Sequence, residues 1–140
     1  MKIKPHVLVV DDQADFRKSI VSLLASEGFR VSSVASGDEA LEFFETEDPT
    51  DPIDLLLLDY RMPGRNGAET LQELRARGVA ARAILLSATP GIEALSKRFG
   101  FDAALAKPCE FDEVVAVMRR LDDRRAVPVA ATRRRRAMVT

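Results

Sequence analysis

Five polar residues in the 140-residue chain stand directly behind apolar runs. Asp11 and Asp12 follow Val7-Leu8-Val9-Val10, and Asp59 follows Leu55-Leu56-Leu57-Leu58. Ser87 follows Ile84-Leu85-Leu86, and Lys107 follows Ala103-Ala104-Leu105-Ala106. Singly, an aspartate in such a place is ordinarily a helix cap or a solvated turn. Jointly the five carry a chemistry. Three carboxylates about 4–6 Å apart repel by several kcal/mol per pair at an effective dielectric of about 20. They coexist when a hard divalent cation binds between them, and carboxylate oxygen plus water suits Mg²⁺. A lysine at the same place supplies fixed positive charge for a phosphate oxygen, and a serine hydroxyl can donate to another. A carboxylate surrounded by metal, lysine and hydroxyl is equipped to take a phosphoryl group as an acyl phosphate.

The elements that must bring these residues together can be read from the apolar pattern. Residues 7–10, 53–58 (apart from Asp54) and 83–86 are apolar without alternation, the mark of strands buried on both faces. Residues 29–35 form a weaker strand, and Ala103–Ala106 is a strand only because the alternation of elements asks for one. Phe16, Ile20, Leu23 and Leu24 recur at helical spacing, with Gly28 where a helix stops. Ser36-Gly37-Asp38-Glu39 has the form of a capping box opening a helix through Ala40, Leu41 and Phe44. Asn66 caps a helix with Ala68, Leu71 and Leu74, ended by Gly78. Residues 91–99 give a short helix, and Phe111, Val114, Val115, Met118 and Leu121 mark a last one. Strand–helix alternation repeated five times implies an α/β fold, a doubly wound parallel sheet with helices on both faces. Sites in such sheets lie at the carboxyl ends of the strands, where the five polar residues fall.

Composition narrows the class. The longest apolar stretches run four or five residues, far short of the roughly 20 that a membrane-spanning helix needs. No apolar leader follows the first residues, and the single Cys109 excludes an internal disulfide, so a cytoplasmic protein is expected. One Cys and one His make no zinc set. The 21 basic and 22 acidic residues are unevenly placed. From Asp122 onward six arginines, four of them at 133–136, face two aspartates, while residues 1–121 carry 15 basic against 20 acidic groups. Residues 1–121 therefore read as one acidic domain and 122–140 as a basic, disordered tail. The acidic body argues against nucleic acid binding, and a DNA-binding domain does not fit in the tail. His6 reads as a surface residue, Cys109 as packing, and Tyr60 as shaping access to Asp59.

The motif set resembles the receiver domain of two-component response regulators. The residues that carry it are Val9-Val10-Asp11-Asp12, Leu57-Leu58-Asp59-Tyr60-Arg61-Met62-Pro63-Gly64, Leu86-Ser87-Ala88 and Lys107-Pro108. The resemblance implies a flavodoxin-like sheet of order 2-1-3-4-5. It implies that Asp59 is the phosphoacceptor, loaded from a phosphohistidine of a sensor histidine kinase or a histidine phosphotransfer protein. Asp12, Asp59 and the backbone carbonyl of Arg61 would ligate Mg²⁺, Asp11 would act through a bound water, Ser87 would be the switch hydroxyl, and Lys107 would pair with the phosphoryl group. It also implies a cis Lys107–Pro108 bond. Such a protein is a phosphorylation-switched binding module with a downstream protein target, not an enzyme with a separate substrate. A phosphate shuttle or sink and a non-phosphorylated binding module are the alternatives, and the oligomeric state stays open, a phosphorylation-dependent dimer included.

Rival chemistries fit less well. A haloacid-dehalogenase-like phosphatase needs a second acid two residues after its nucleophile, where this chain has Arg61. No glycine-rich nucleotide loop is present. Two departures from the receiver pattern touch signal output. Ala104 stands where relatives carry an aromatic residue, and the short stretch between Ser87 and Lys107 implies a curtailed fourth helix.

Overall fold

The computed structural model describes residues 4–126. Five strands, β1 (His6–Val10), β2 (Arg30–Val34), β3 (Leu55–Leu58), β4 (Arg82–Ser87) and β5 (Ala103–Ala106), form one sheet in the order β2-β1-β3-β4-β5. Every pair is parallel. The helices are α1 (Ala14–Ser26), α2 (Gly37–Glu45), α3 (Gly67–Ala76), α4 (Ile92–Arg98) and α5 (Phe111–Ala126). This is the flavodoxin-like arrangement expected.

Successive strand residues point to opposite faces, and both faces are covered. Leu8, Val10, Leu56, Leu58 and Leu85 join Leu41, Leu71, Leu74 and Ile92 in one core. Val7, Val9, Leu55, Leu57, Ile84 and Leu86 join Ile20, Leu24, Val114, Met118 and Leu121 in the other. Fully burying such a side chain is worth about 1.5–3 kcal/mol, so unbroken four-residue apolar runs are stable only between two helical layers. α4 is the short helix that the sequence implied, with seven residues.

Element ends differ from the apolar pattern where other acceptors claim the backbone. β2 begins at Arg30 because Phe29 N–H bonds back to the Leu24 carbonyl and closes α1. It ends at Val34 because Ala35 N–H donates to the Glu39 carboxylate. The Ser36 hydroxyl accepts from Glu39 N–H, so Ser36 caps α2, but the reciprocal arm of the expected box is displaced by one residue. The complete capping box is at α3, between Asn66 and Glu69. β3 begins at Leu55 because Ile53 N–H is taken by the Glu47 carboxylate. α5 continues past Leu121 to Ala126, so the helical part of the chain extends into the segment read as tail. Residues 127–140, with the arginines at 133–136, lie outside the described residues.

His6 is not a surface residue. Its side chain is 12% exposed, and its Nε2 lies 2.8 Å from the Ser32 hydroxyl. Its backbone N–H donates to Asp54 at 3.0 Å.

Candidate functional site

The sheet register places the site. Val10 and Leu58 are partners across β1 and β3, and the ladder continues one step beyond them: Asp59 N–H donates to the Val10 carbonyl at 3.0 Å, and Asp11 N–H to the Val34 carbonyl at 3.2 Å. The two aspartates are thus fixed by backbone bonds on adjacent strand ends. On the far side, Ser87 pairs with Ala106, and Lys107 N–H donates to the Ser87 carbonyl at 2.9 Å. The Lys107–Pro108 bond is cis.

Side chains complete the cluster. One carboxylate oxygen from each of Asp11, Asp12 and Asp59 lies within 4.8 Å of the others. Asp11 and Asp59 are buried, and Asp12 is exposed. Lys107 Nζ donates to Asp11 Oδ2 at 2.8 Å and to Asp59 Oδ2 at 3.4 Å. The second Asp11 oxygen accepts from Gln13 N–H at 2.9 Å. The Ser87 hydroxyl is buried and lies 3.1 Å from the Thr89 hydroxyl. Arg61 lines the same cleft as Asp12, Asp59, Ser87 and Lys107. All of the residues predicted from the sequence therefore meet in one place.

Burial raises the Asp59 carboxyl above its ordinary value; the Lys107 charge opposes this, and the Asp11 charge adds to it. One ammonium bonds two of the three carboxylates and leaves Asp12 without it, so the cluster favours a further cation. Its donors are hard oxygens in a mixed buried and exposed setting, which fits Mg²⁺. The Cys109 thiol is pushed up, first by burial and then by Glu113, which suits packing better than redox chemistry. Tyr60, half-buried, packs against the core beneath α2–α4 rather than among the residues lining the cleft.

Three contributors carried no distinct sequence signal. The Arg17 guanidinium donates to the Asp11 carbonyl at 2.6 Å and ties α1 to the site. Phe16, counted in sequence only as an apolar helix position, has its ring centroid 4.0 Å from Lys107 Nζ. Gly67, the first residue of α3, sits against the chain just beyond β3: a Cβ there would meet the Asp59 carbonyl oxygen at 2.4 Å and the Tyr60 Cα at 3.0 Å. A tight approach of this kind depends on the loop path, which spacing alone does not reveal.

Comparison with known proteins agrees with this geometry. The response regulator receiver domain, as a family, matches residues 7–119. The alkaline phosphatase synthesis transcriptional regulatory protein SphR of Synechococcus elongatus is 35% identical over 123 residues, covering 83% of this chain and 48% of SphR. The cell cycle response regulator CtrA of Brucella ovis is 33% identical over 113 residues, covering 79% of this chain and 47% of CtrA. The chain thus spans about half the length of these two curated relatives. Among solved structures, the response regulator TrrA of Thermotoga maritima in complex with Mg(2+)-BeF superposes with a TM-score of 0.74 at 31% identity, over 84% of this chain and 98% of that one. The Francisella response regulator 1452 receiver domain gives a TM-score of 0.78 at 28% identity, over 86% and 98%. With fold, strand-end cluster and relatives in agreement, the chain belongs to the response regulator receiver domains, the signalling modules of two-component systems.

Proposed function

We propose that Asp59 accepts a phosphoryl group from the phosphohistidine of a sensor histidine kinase or histidine phosphotransfer protein, and that the acyl phosphate switches binding to a downstream protein. The observation that carries this reading is Lys107 Nζ lying between Asp11, at 2.8 Å, and Asp59, at 3.4 Å, beside a third carboxylate. An Asp59 oxygen attacks phosphorus, the bond from phosphorus to imidazole nitrogen breaks, and the leaving imidazole takes a proton from water. Lys107 meets one phosphoryl oxygen with its fixed charge. The Ser87 hydroxyl turns from Thr89 to donate to another.

Asp12, Asp59 and the Arg61 carbonyl would hold Mg²⁺, which supplies charge neutralisation to the transferring group. Asp11 would act through a bound water, a role that fits its two oxygens already accepting from Gln13 and Lys107. The test is labelling of the protein by acetyl phosphate. Labelling is expected to require Mg²⁺, to stop on chelation and to be absent in Asp59→Asn. Undiminished labelling of that variant would remove Asp59 as the acceptor.

A further inference from the structure

We propose that Phe16 is a positioning residue for Lys107, its ring holding the ammonium over the acceptor when the carboxylates turn to the metal. The proposal rests on Asp59 being the phosphoacceptor. Phe16 lies in the first turn of α1, half-buried against the core that α1 shares with α5. The Lys107 ammonium stands 4.0 Å from the ring centroid and its side chain is 13% exposed. An ammonium has three N–H groups. Here two carboxylates and one aromatic ring surround it.

The partners differ in what a divalent cation does to them. Asp11 and Asp59 are attracted to the metal, which competes with Lys107 for their oxygens. The ring gains nothing from a second cation that approaches the carboxylates, so its hold on the ammonium persists. Without it, a lysine stem with four rotatable bonds would spread over many rotamers once its ion pairs weaken. A leucine or methionine at position 16 would remain apolar toward the core and offer no negative face. The attraction of a cation to an aromatic face is stronger when it is shielded from water, and here the ammonium is largely buried against a half-buried ring. The ring thus keeps the ammonium aimed where the phosphoryl oxygens arrive, and its effect on transfer passes through Lys107.

The full chain tests this in two ways. In the wild-type protein, NMR of the Lys107 ε-methylene protons should show an upfield ring-current shift that persists when Mg²⁺ is added. A shift lost on adding Mg²⁺, or absent from the start, overturns the proposal without any reference to phosphorylation. In the second, the rate of acetyl phosphate labelling at saturating Mg²⁺ is compared among variants. Phe16→Leu should be roughly tenfold slower, Phe16→Tyr should stay within about twofold of wild type by keeping the ring, and Phe16→Leu should cost nothing further in a Lys107→Ala background. Equal losses in Leu and Tyr variants, or the same loss with Lys107 already removed, would make Phe16 a packing residue only. Labelling that survives in Asp59→Asn would instead sink the phosphoacceptor reading and leave the NMR result standing.

Discussion

The two ends of the sheet handle charge in opposite ways. At the amino ends of the strands, acids are partnered and partly exposed. Asp51 pairs with Arg30 and lies 3.4 Å from His6 Nδ1. Asp102 stands between Arg75 and Arg82 and accepts Ala83 N–H at 2.8 Å. Arg75 also donates to the Val79 and Ala81 carbonyls, and Arg77 bridges Glu45 and Glu73. At the carboxyl ends, Asp11 and Asp59 have side chains only 4% and 8% exposed, and share Lys107 between them. A recess between Phe44, Ile53 and Arg77 is at the balanced end, while the proposed acceptor lines another at the opposite end. At the carboxyl ends the carboxylates outnumber the one bonded ammonium, so a further cation is accepted there more readily than where the acids are already paired. The balanced end holds the strands in register.

The largest effect should come from pressing on Asp59, the proposed acceptor. Gly67→Ala places a methyl 2.4 Å from the Asp59 carbonyl oxygen, which is backbone that cannot turn aside. Overpacking of this kind costs about 1–3 kcal/mol, and displacement of Asp59 should slow acetyl phosphate labelling by at least roughly tenfold, since small misplacements cost up to about 100-fold. Urea denaturation and labelling measured together check this. A stable variant labelled at the wild-type rate would show that the α3 approach does not position Asp59.

The next effect is a difference of sign between the two ends. Without Mg²⁺, Asp59→Asn should stabilise the protein by on the order of 1 kcal/mol, because burial of that charge, with Asp11 adding to it, costs more than its attraction to Lys107 returns. Asp102→Asn should destabilise by about 1–2 kcal/mol, because Arg75 and Arg82 lose their charged partner and the Ala83 N–H its charge-assisted acceptor. Mg²⁺ at ten times its dissociation constant should stabilise the wild type by about 1.4 kcal/mol and have little effect on Asp59→Asn. Denaturation with and without the metal separates these cases. A loss of stability in both variants would erase the contrast.

The reactive end is more legible in the sequence than the balanced one. Unbroken runs such as Leu55–Leu58 leave no doubt about a strand, and the residue after a buried strand has its place fixed by the ladder, so Asp11, Asp59 and Ser87 can be located from the apolar pattern alone, and Lys107 once the strand–helix order is added. The balanced end depends on contacts far apart in sequence, such as Arg75 with Asp102 and His6 with Ser32, for which spacing has no signal. His6 reads as exposed for that reason. Strand ends shift where Glu39 and Glu47 take backbone N–H groups, a competition that apolar patterning does not record. β5 is short and alanine-rich, so propensity does not reveal it, and only the repeated strand–helix order does.

Titration offers a smaller, sharper contrast. Asp48, in the loop before β3, is held below the ordinary value of 3.8 by hydrogen bonds from the Thr50 hydroxyl and N–H. Asp59 is raised above 3.8, first by burial. A carboxyl with a lowered folded pKa adds stability above its unfolded pKa and loses it as pH falls through the folded one. Asp59 acts the other way: the folded state holds its proton more tightly than the unfolded chain does. Its stabilising contribution is therefore present below the unfolded value and is lost as pH rises from there through the raised folded value. Carboxyl-carbon NMR titration without metal should find Asp48 titrating below 3.8 and Asp59 above it, and labelling should decline with acid through the Asp59 transition. Both groups titrating together would remove the electrostatic difference at these two positions.

The smallest expected effect concerns how far the change at the reactive end travels. In relatives with an aromatic residue at position 104, inward motion of the switch hydroxyl leaves space that the ring fills. Here Ala104, paired with Leu85 in the sheet and half-buried against the core under α4, has no side-chain rotamer to switch. Ser87 can still exchange Thr89 for a phosphoryl oxygen, because the new bond is charge-assisted. That exchange pulls directly on the loop carrying Thr89 and on the seven-residue α4 behind it. A ligand shifts an equilibrium only as far as it binds the two states differently, so the loss of one two-state element should narrow the response. Amide chemical shifts with and without a Mg²⁺-dependent phosphoryl mimic should change most over residues 88–98, and clearly less along β5 and residues 114–121 of α5. Replacing Ala104 with Tyr should widen the change toward β5 if the missing ring is the cause. Equal changes on β5 and α5 in the wild type would show that backbone motion alone carries the signal across the sheet edge.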